Sequence, residues 1–100
     1  MKKYRFISDP GHGWLEVPTL EIAQLGIAAE ISSCSYISGA NTHVYLEEDC
    51  DMAVFCRAKG WPRGSISEHI TEVFKDPCWI RDMRSFNGKH FAAHVEVVTA

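Results

Sequence analysis

Val44-Tyr45-Leu46-Glu47-Glu48-Asp49-Cys50-Asp51-Met52-Ala53-Val54-Phe55 reads as a strand running straight into a helix, with four acidic side chains at the junction. Val44 and Leu46 alternate with His43, Tyr45 and Glu47, the period-two pattern of a half-buried strand. From Cys50 the period becomes helical. Asp49 has the residue type of an N-cap, and Asp51 falls where the positive end of the helix dipole favours a negative charge. Gly60 supplies the stop, so the helix is expected over residues 50–59.

Working outward, residues 3–8 and 14–17 read as a hairpin around the turn Asp9-Pro10-Gly11-His12-Gly13. A short helix over residues 20–25 is stopped by Gly26. Residues 31–38, rich in hydroxyl, aromatic and β-branched side chains, predict a third strand that turns through Ser38-Gly39-Ala40-Asn41 into the fourth, residues 42–47. Beyond Gly60, Ser65 and Glu68 have capping-box spacing, and Ile66, Ile70, Val73 and Phe74 share a helical stripe, so a helix over residues 66–75 is expected. Trp79, Met83 and Phe86 fit a helical stripe, so residues 79–86 are open between helix and strand; Phe86-Asn87-Gly88-Lys89 carries a two-residue hairpin signal that favours the hairpin, and Phe91, Ala93, Val95 and Val97 alternate as a closing strand. Hairpins separated by helices make an α+β domain, an antiparallel β-sheet with two to three helices packed on one face. No repeat or linker divides residues 1–100 into more than one domain.

With 46% hydrophobic and 23% charged residues the composition is that of an ordinary globular protein. A net charge of −3 argues against duplex DNA or an anionic membrane as the main partner. Lys2, Lys3 and Arg5, and further on Arg81, Arg84 and Lys89, are local basic clusters. No apolar run is long enough to span a bilayer, and the basic start is not followed by the apolar stretch of a signal peptide, so a cytoplasmic protein is expected. Cys34, Cys50, Cys56 and Cys78 lack the close spacing of a disulfide framework; they are expected as reduced thiols, mostly buried.

Several residues bear on chemistry. Glycines either side of His12 could let a ligand approach the backbone, but a tight turn that packs Trp14 into the core demands the same residue types. Glu47, Glu48, Asp49 and Asp51 do not have calcium-loop spacing; they read as a solvated acidic edge that could imitate phosphate before a basic surface. His90 and His94 on a strand would lie ~13 Å apart, too far for one ion. No metal site and no cofactor are therefore expected. Cys34, among Ser32, Ser33 and Ser35, would be a nucleophile only if it met His12 or His43 across the sheet. No catalytic residue is assigned. Trp61, in a Gly-Trp-Pro loop, is the candidate for an exposed aromatic anchor.

At Gly11-His12-Gly13-Trp14-Leu15-Glu16-Val17-Pro18, Leu25-Gly26-Ile27 and Tyr45-Leu46-Glu47-Glu48-Asp49-Cys50-Asp51, the chain resembles small proteins encoded by bacterial phages, plasmids and integrated elements. The likeness reaches as far as Gly60 and fades beyond it. The resemblance implies an accessory protein, anti-CRISPR proteins being of that kind, that binds a host protein or protein complex rather than catalysing a reaction. The expectation is thus a cytoplasmic inhibitor that occludes a surface of a nucleic-acid-binding defence complex, through Glu47, Glu48, Asp49, Asp51 and Trp61. Two alternatives stand beside it. One is a small hydrolase or transferase using His12 with Cys34; the other is a homodimer that completes its sheet across two chains.

Overall fold

The computed structural model describes residues 3–91. Strand β1 (Tyr4–Ser8) turns into β2 (Gly13–Pro18), which leads to helix α1 (Thr19–Gln24). A 3₁₀ turn, Ala28–Glu30, precedes the short β3 (Tyr36–Ile37); β4 (His43–Glu47) then feeds helix α2 (Met52–Lys59). A second 3₁₀ segment, Arg63–His69, enters β5 (Ile70–Phe74), and a third, Trp79–Asp82, precedes β6 (Arg84–Ser85). Among the described residues these strands make one six-stranded sheet, in the order β5-β1-β2-β4-β3-β6. The α+β expectation holds, with one difference in the sheet: it is antiparallel except at one edge, where β5 runs parallel to β1.

Alternation along the strands gives the sheet two distinct faces. Phe6 pairs with Leu15, Leu15 with Leu46, and Val17 with Val44, so Tyr4, Phe6, Leu15, Val17, Val44 and Leu46 share one face. Ile22 of α1 and Met52, Phe55 and Cys56 of α2 pack on that face and complete the main core. Fully burying each such side chain contributes about 1.5–3 kcal/mol. The opposite face carries Ile7, Trp14 and Tyr45, covered by Cys78 and Ile80 at the third 3₁₀ segment. That cover is partial. Beyond it the second face becomes polar, and Glu47, paired in register with Trp14, lies there.

Three expected elements differ, each for a physical reason. Residues 66–75 form no α-helix. Ile70, Thr71 and Val73 are β-branched, and the free edge of β1 offers them a complete ladder from Tyr4–Ile70 to Ser8–Phe74, so pairing overrides the helical stripe. Ser65 turns its hydroxyl to the Pro62 carbonyl (2.8 Å) instead of capping a helix. Of residues 31–38 only Tyr36–Ile37 is strand, because the serines before it fold back onto Asp51. At Asn87-Gly88 the chain starts a helical turn over 88–91 rather than a hairpin: the Asn87 side chain accepts from the His90 amide (3.0 Å), as an N-cap does. Gly88 is needed there for space, since a Cβ would stand 2.0 Å from the Ala28 carbonyl oxygen. Phe91 is helical, and the remainder of the expected closing strand, with His94, lies outside the described residues.

The expected cap of α2 also changes. Helix α2 begins at Met52, two residues later than expected, and its N-cap is Asp51, whose side chain makes no cap hydrogen bond. Asp51 is 2% exposed. Its carboxylate accepts from the Ser32 amide (3.0 Å), the Ser32 hydroxyl (2.8 Å) and the Ser35 hydroxyl (2.6 Å). Ser35 Oγ in turn accepts from the Glu47 amide (3.0 Å), and the Ser35 carbonyl accepts from Phe86 (2.8 Å). The C-terminal stop is as read from the sequence, Gly60 taking the left-handed conformation with φ 73°.

Asp51→Ala leaves three donors without their acceptor, so a loss of about 2–4 kcal/mol is expected in urea unfolding. Asp49→Ala, at an exposed neighbour, is expected to change the midpoint little.

Candidate functional site

The polar end of the second sheet face holds a cavity of about 350 Å³ lined by His12, Trp14, Cys34, Tyr36, Glu47, Asp49, Cys50 and Arg81. Four chain segments meet there. The 9–12 turn brings His12: the Asp9 carboxylate accepts from the amides of Gly11 (2.9 Å) and His12 (2.8 Å), while the Asp9 amide donates to the His12 carbonyl (2.9 Å). Gly13 follows because the Phe6 ring lies against its backbone, and an added Cβ would come within 2.4 Å of Phe6 Cζ. The turn and the candidate site are therefore the same structure. Trp14 is buried, as the plain turn reading requires, while the His12 side chain stays 48% exposed at the cavity.

Glu47 forms the inner wall. Only 6% exposed, it places Oε1 3.3 Å from His12 Nδ1 and accepts the Asp49 amide on Oε2 (2.9 Å). This carboxylate orients the imidazole and closes the tight turn before α2. Cys50 lies in the cavity wall with Cys34 and Glu47; these two neighbours, in that order, push its pKa up to about 12. Arg81 reaches over the Trp14 ring, 5.5 Å from its centroid, and is held there by both carboxylate oxygens of Asp9. That pairing keeps the Asp9 carboxyl well below the usual carboxylate range.

The acidic residues expected to act together are divided by the fold. Glu48 and Asp49 are exposed, whereas Glu47 and Asp51 are in the interior, so the four do not make one solvated edge. Trp61 is not a free anchor either. Half-buried, it stacks on His69 (4.2 Å between centroids) and meets Tyr4 and Phe55 edge-on at 5.5 and 5.6 Å. Among the described residues the large exposed apolar side chains are Leu20, Phe74 and Trp79. The cysteines divide evenly: Cys56 and Cys78 are buried, and Cys34 and Cys50 are exposed. His43 takes no part at the cavity, its Nδ1 lying 3.0 Å from Thr42 Oγ1.

Sequence reasoning missed Tyr36, Arg81 and the placement of Cys34 and Cys50 in one cavity. The available signal was the run of hydroxyls around Cys34, which needed a buried acceptor, but its partner is distant in sequence. Among the described residues no group of three or more His, Cys, Asp or Glu side chains is arranged to hold a metal ion. Nor is any helix among them long and apolar enough to cross a membrane. Searched against family models, curated proteins and solved structures, the chain has no match. The site therefore has to be read from its own chemistry: a small α+β domain with an open, acid-lined cavity on its second sheet face.

Asp9, through Arg81, and Glu16, through Arg5, both have carboxyls held below their ordinary range. Their contribution to stability is complete above the unfolded carboxylate range, about pH 4, and is lost as pH falls through the lower folded values. A urea midpoint that drops between pH 5 and pH 2.5, and drops less in Asp9→Asn, is the expected result.

Proposed function

We propose that this protein is a small binding protein that occludes a basic surface of a larger host protein, of the kind that holds nucleic acid. The contact in this reading is the acidic rim of the His12–Glu47 cavity. One observation carries it. Glu48 and Asp49 are exposed on the turn whose inner wall is the Glu47 carboxylate, and among the described residues no cation is salt-bridged to either of them. Trp14 and Tyr36 add aromatic wall, and the guanidinium of Arg81 over Trp14 shows that a planar cation fits against that surface. A partner's arginine or lysine entering the cavity would meet a carboxylate wall in a partly desolvated site, where charge complementarity gives selectivity and speeds encounter. Glu47 supports the contact from below; Asp51 and Trp61 act by holding the fold.

The test uses the exposed pair, since Glu47→Lys would place a charge in the interior and unfold the site. Wild type and Glu48→Lys/Asp49→Lys are compared for capture of a partner from lysate of a natural host, and the captured protein is then purified and titrated against both. Binding by wild type that weakens at least ~10-fold in the variant is expected. Equal affinity would remove the acidic contact.

A second reading, a small hydrolase or transferase, is favoured by one observation: His12 and Cys34 line the same cavity, with Glu47 against the imidazole. A histidine that serves a thiol raises its nucleophilicity. In this reading His12→Ala slows alkylation of Cys34 by iodoacetamide at least ~10-fold. Unchanged alkylation excludes it.

A further inference from the structure

We propose that Cys34 and Cys50 are a paired oxidation site, in which a small hydroperoxide joins the two thiols into an intramolecular disulfide across the mouth of the cavity. The placement of the pair carries this, and it does not depend on which partner the rim engages. Both thiols are exposed and both line the same cavity, near enough that Cys34 is the first cause of the upward shift at Cys50, whereas Cys56 and Cys78 are buried. The fold pins the two segments together beside the thiols. Asp51, next to Cys50, accepts from both the amide and the hydroxyl of Ser32; Ser32 Oγ also accepts from the Cys34 amide (3.2 Å). Two thiols sixteen residues apart are thus held at one cavity by a buried carboxylate and one serine.

The chemistry balances with a hydroperoxide as the oxidant. The Cys34 sulfur attacks one peroxide oxygen and the O–O bond breaks; with hydrogen peroxide, hydroxide leaves, takes up a proton and becomes water, and Cys34 is left as a sulfenic acid. The Cys50 sulfur then attacks the Cys34 sulfur, an S–S bond forms, and the sulfenic oxygen leaves as a second water. Two thiols have lost two electrons and two protons, and the peroxide has gained them. Glu47, which lines the same cavity beside Cys50, is placed to take its proton in the second step. The order follows from the environment: the Glu47 carboxylate in the same cavity wall disfavours the Cys50 thiolate, so Cys34 is the attacking sulfur and Cys50 resolves it. The resulting bridge ties the 31–35 segment to the turn before α2 and narrows the entrance to His12.

The reduced full-length protein is treated with hydrogen peroxide, then alkylated with N-ethylmaleimide, and read by intact mass and peptide mapping. A Cys34–Cys50 cross-link within one chain is expected, reversed by dithiothreitol and formed at least ~10-fold faster in the folded protein than in urea. In Cys50→Ser, a sulfenic acid at Cys34 is expected to accumulate and be trapped by dimedone; in Cys34→Ser, Cys50 is expected to stay unoxidised. Sulfinic acid at Cys34 without a cross-link, disulfides only between chains, or equal rates folded and in urea would each overturn the paired site. Dimedone on Cys50 rather than Cys34 would overturn the assigned order.

Discussion

The Asp51 carboxylate, shielded from solvent and accepting from Ser32 and Ser35, is the constraint on which the rest of the site depends. A buried carboxylate persists only where donors replace its lost water, and here all the donors come from one short loop of the chain. The carboxylate therefore dictates where that loop goes. Ser35 passes the connection on by accepting from the Glu47 amide, so loop, strand end and helix start form a single hydrogen-bonded unit. Cys34 and Cys50 are neighbours because they ride on the two sides of that unit. Phe86, donating to the Ser35 carbonyl, brings the last described part of the chain against it as well.

The two faces of the sheet divide the work. One is closed by α1 and α2 over an apolar surface, and that closure supplies most of the burial. The other is only partly covered, by the short segment around Cys78 and Ile80, and its uncovered end is polar. A sheet face that is neither fully packed nor fully solvated is where a small domain can keep a cavity without giving up its core. The pairing of Arg81 with Asp9 ties the edge of the cover to the turn that bears His12, so the rim is fastened from both sides. The Gly11–Pro18 and Tyr45–Asp51 stretches are far apart in the sequence. In the fold they are the paired strands β2 and β4 with their adjoining turns, and together they supply His12, Trp14, Glu47, Asp49 and Cys50 to one cavity.

Local patterns decided a good deal by themselves. Period-two alternation located β1, β2 and β4, and the change of period at the acidic junction located α2. Gly60 ended that helix because a left-handed residue without a side chain is the least costly stop. The turn at Asp9-Pro10-Gly11-His12-Gly13 followed from residue type, since its hydrogen bonds are made within the turn itself. From these elements the α+β class was legible, because strands in hairpins and amphipathic helices must share one core.

What only the tertiary structure decided were the matters set by partners far along the chain. Residues 70–74 carry a helical stripe and β-branched side chains at once, and the open edge of β1 settled the conflict in favour of a strand. Asp51 looked like a solvated charge at a helix start; its burial depends on serines sixteen and nineteen residues away, which no local period encodes. Trp61 looked exposed in its loop, but the rings of Tyr4, Phe55 and His69 meet it from other elements. The sequence by itself determined the elements whose hydrogen bonds close within a few residues, and with them the fold class. The cavity, its buried carboxylate and its pair of exposed thiols were decided by long-range pairing, because burial and contact are properties of the assembled surfaces and not of any one stretch.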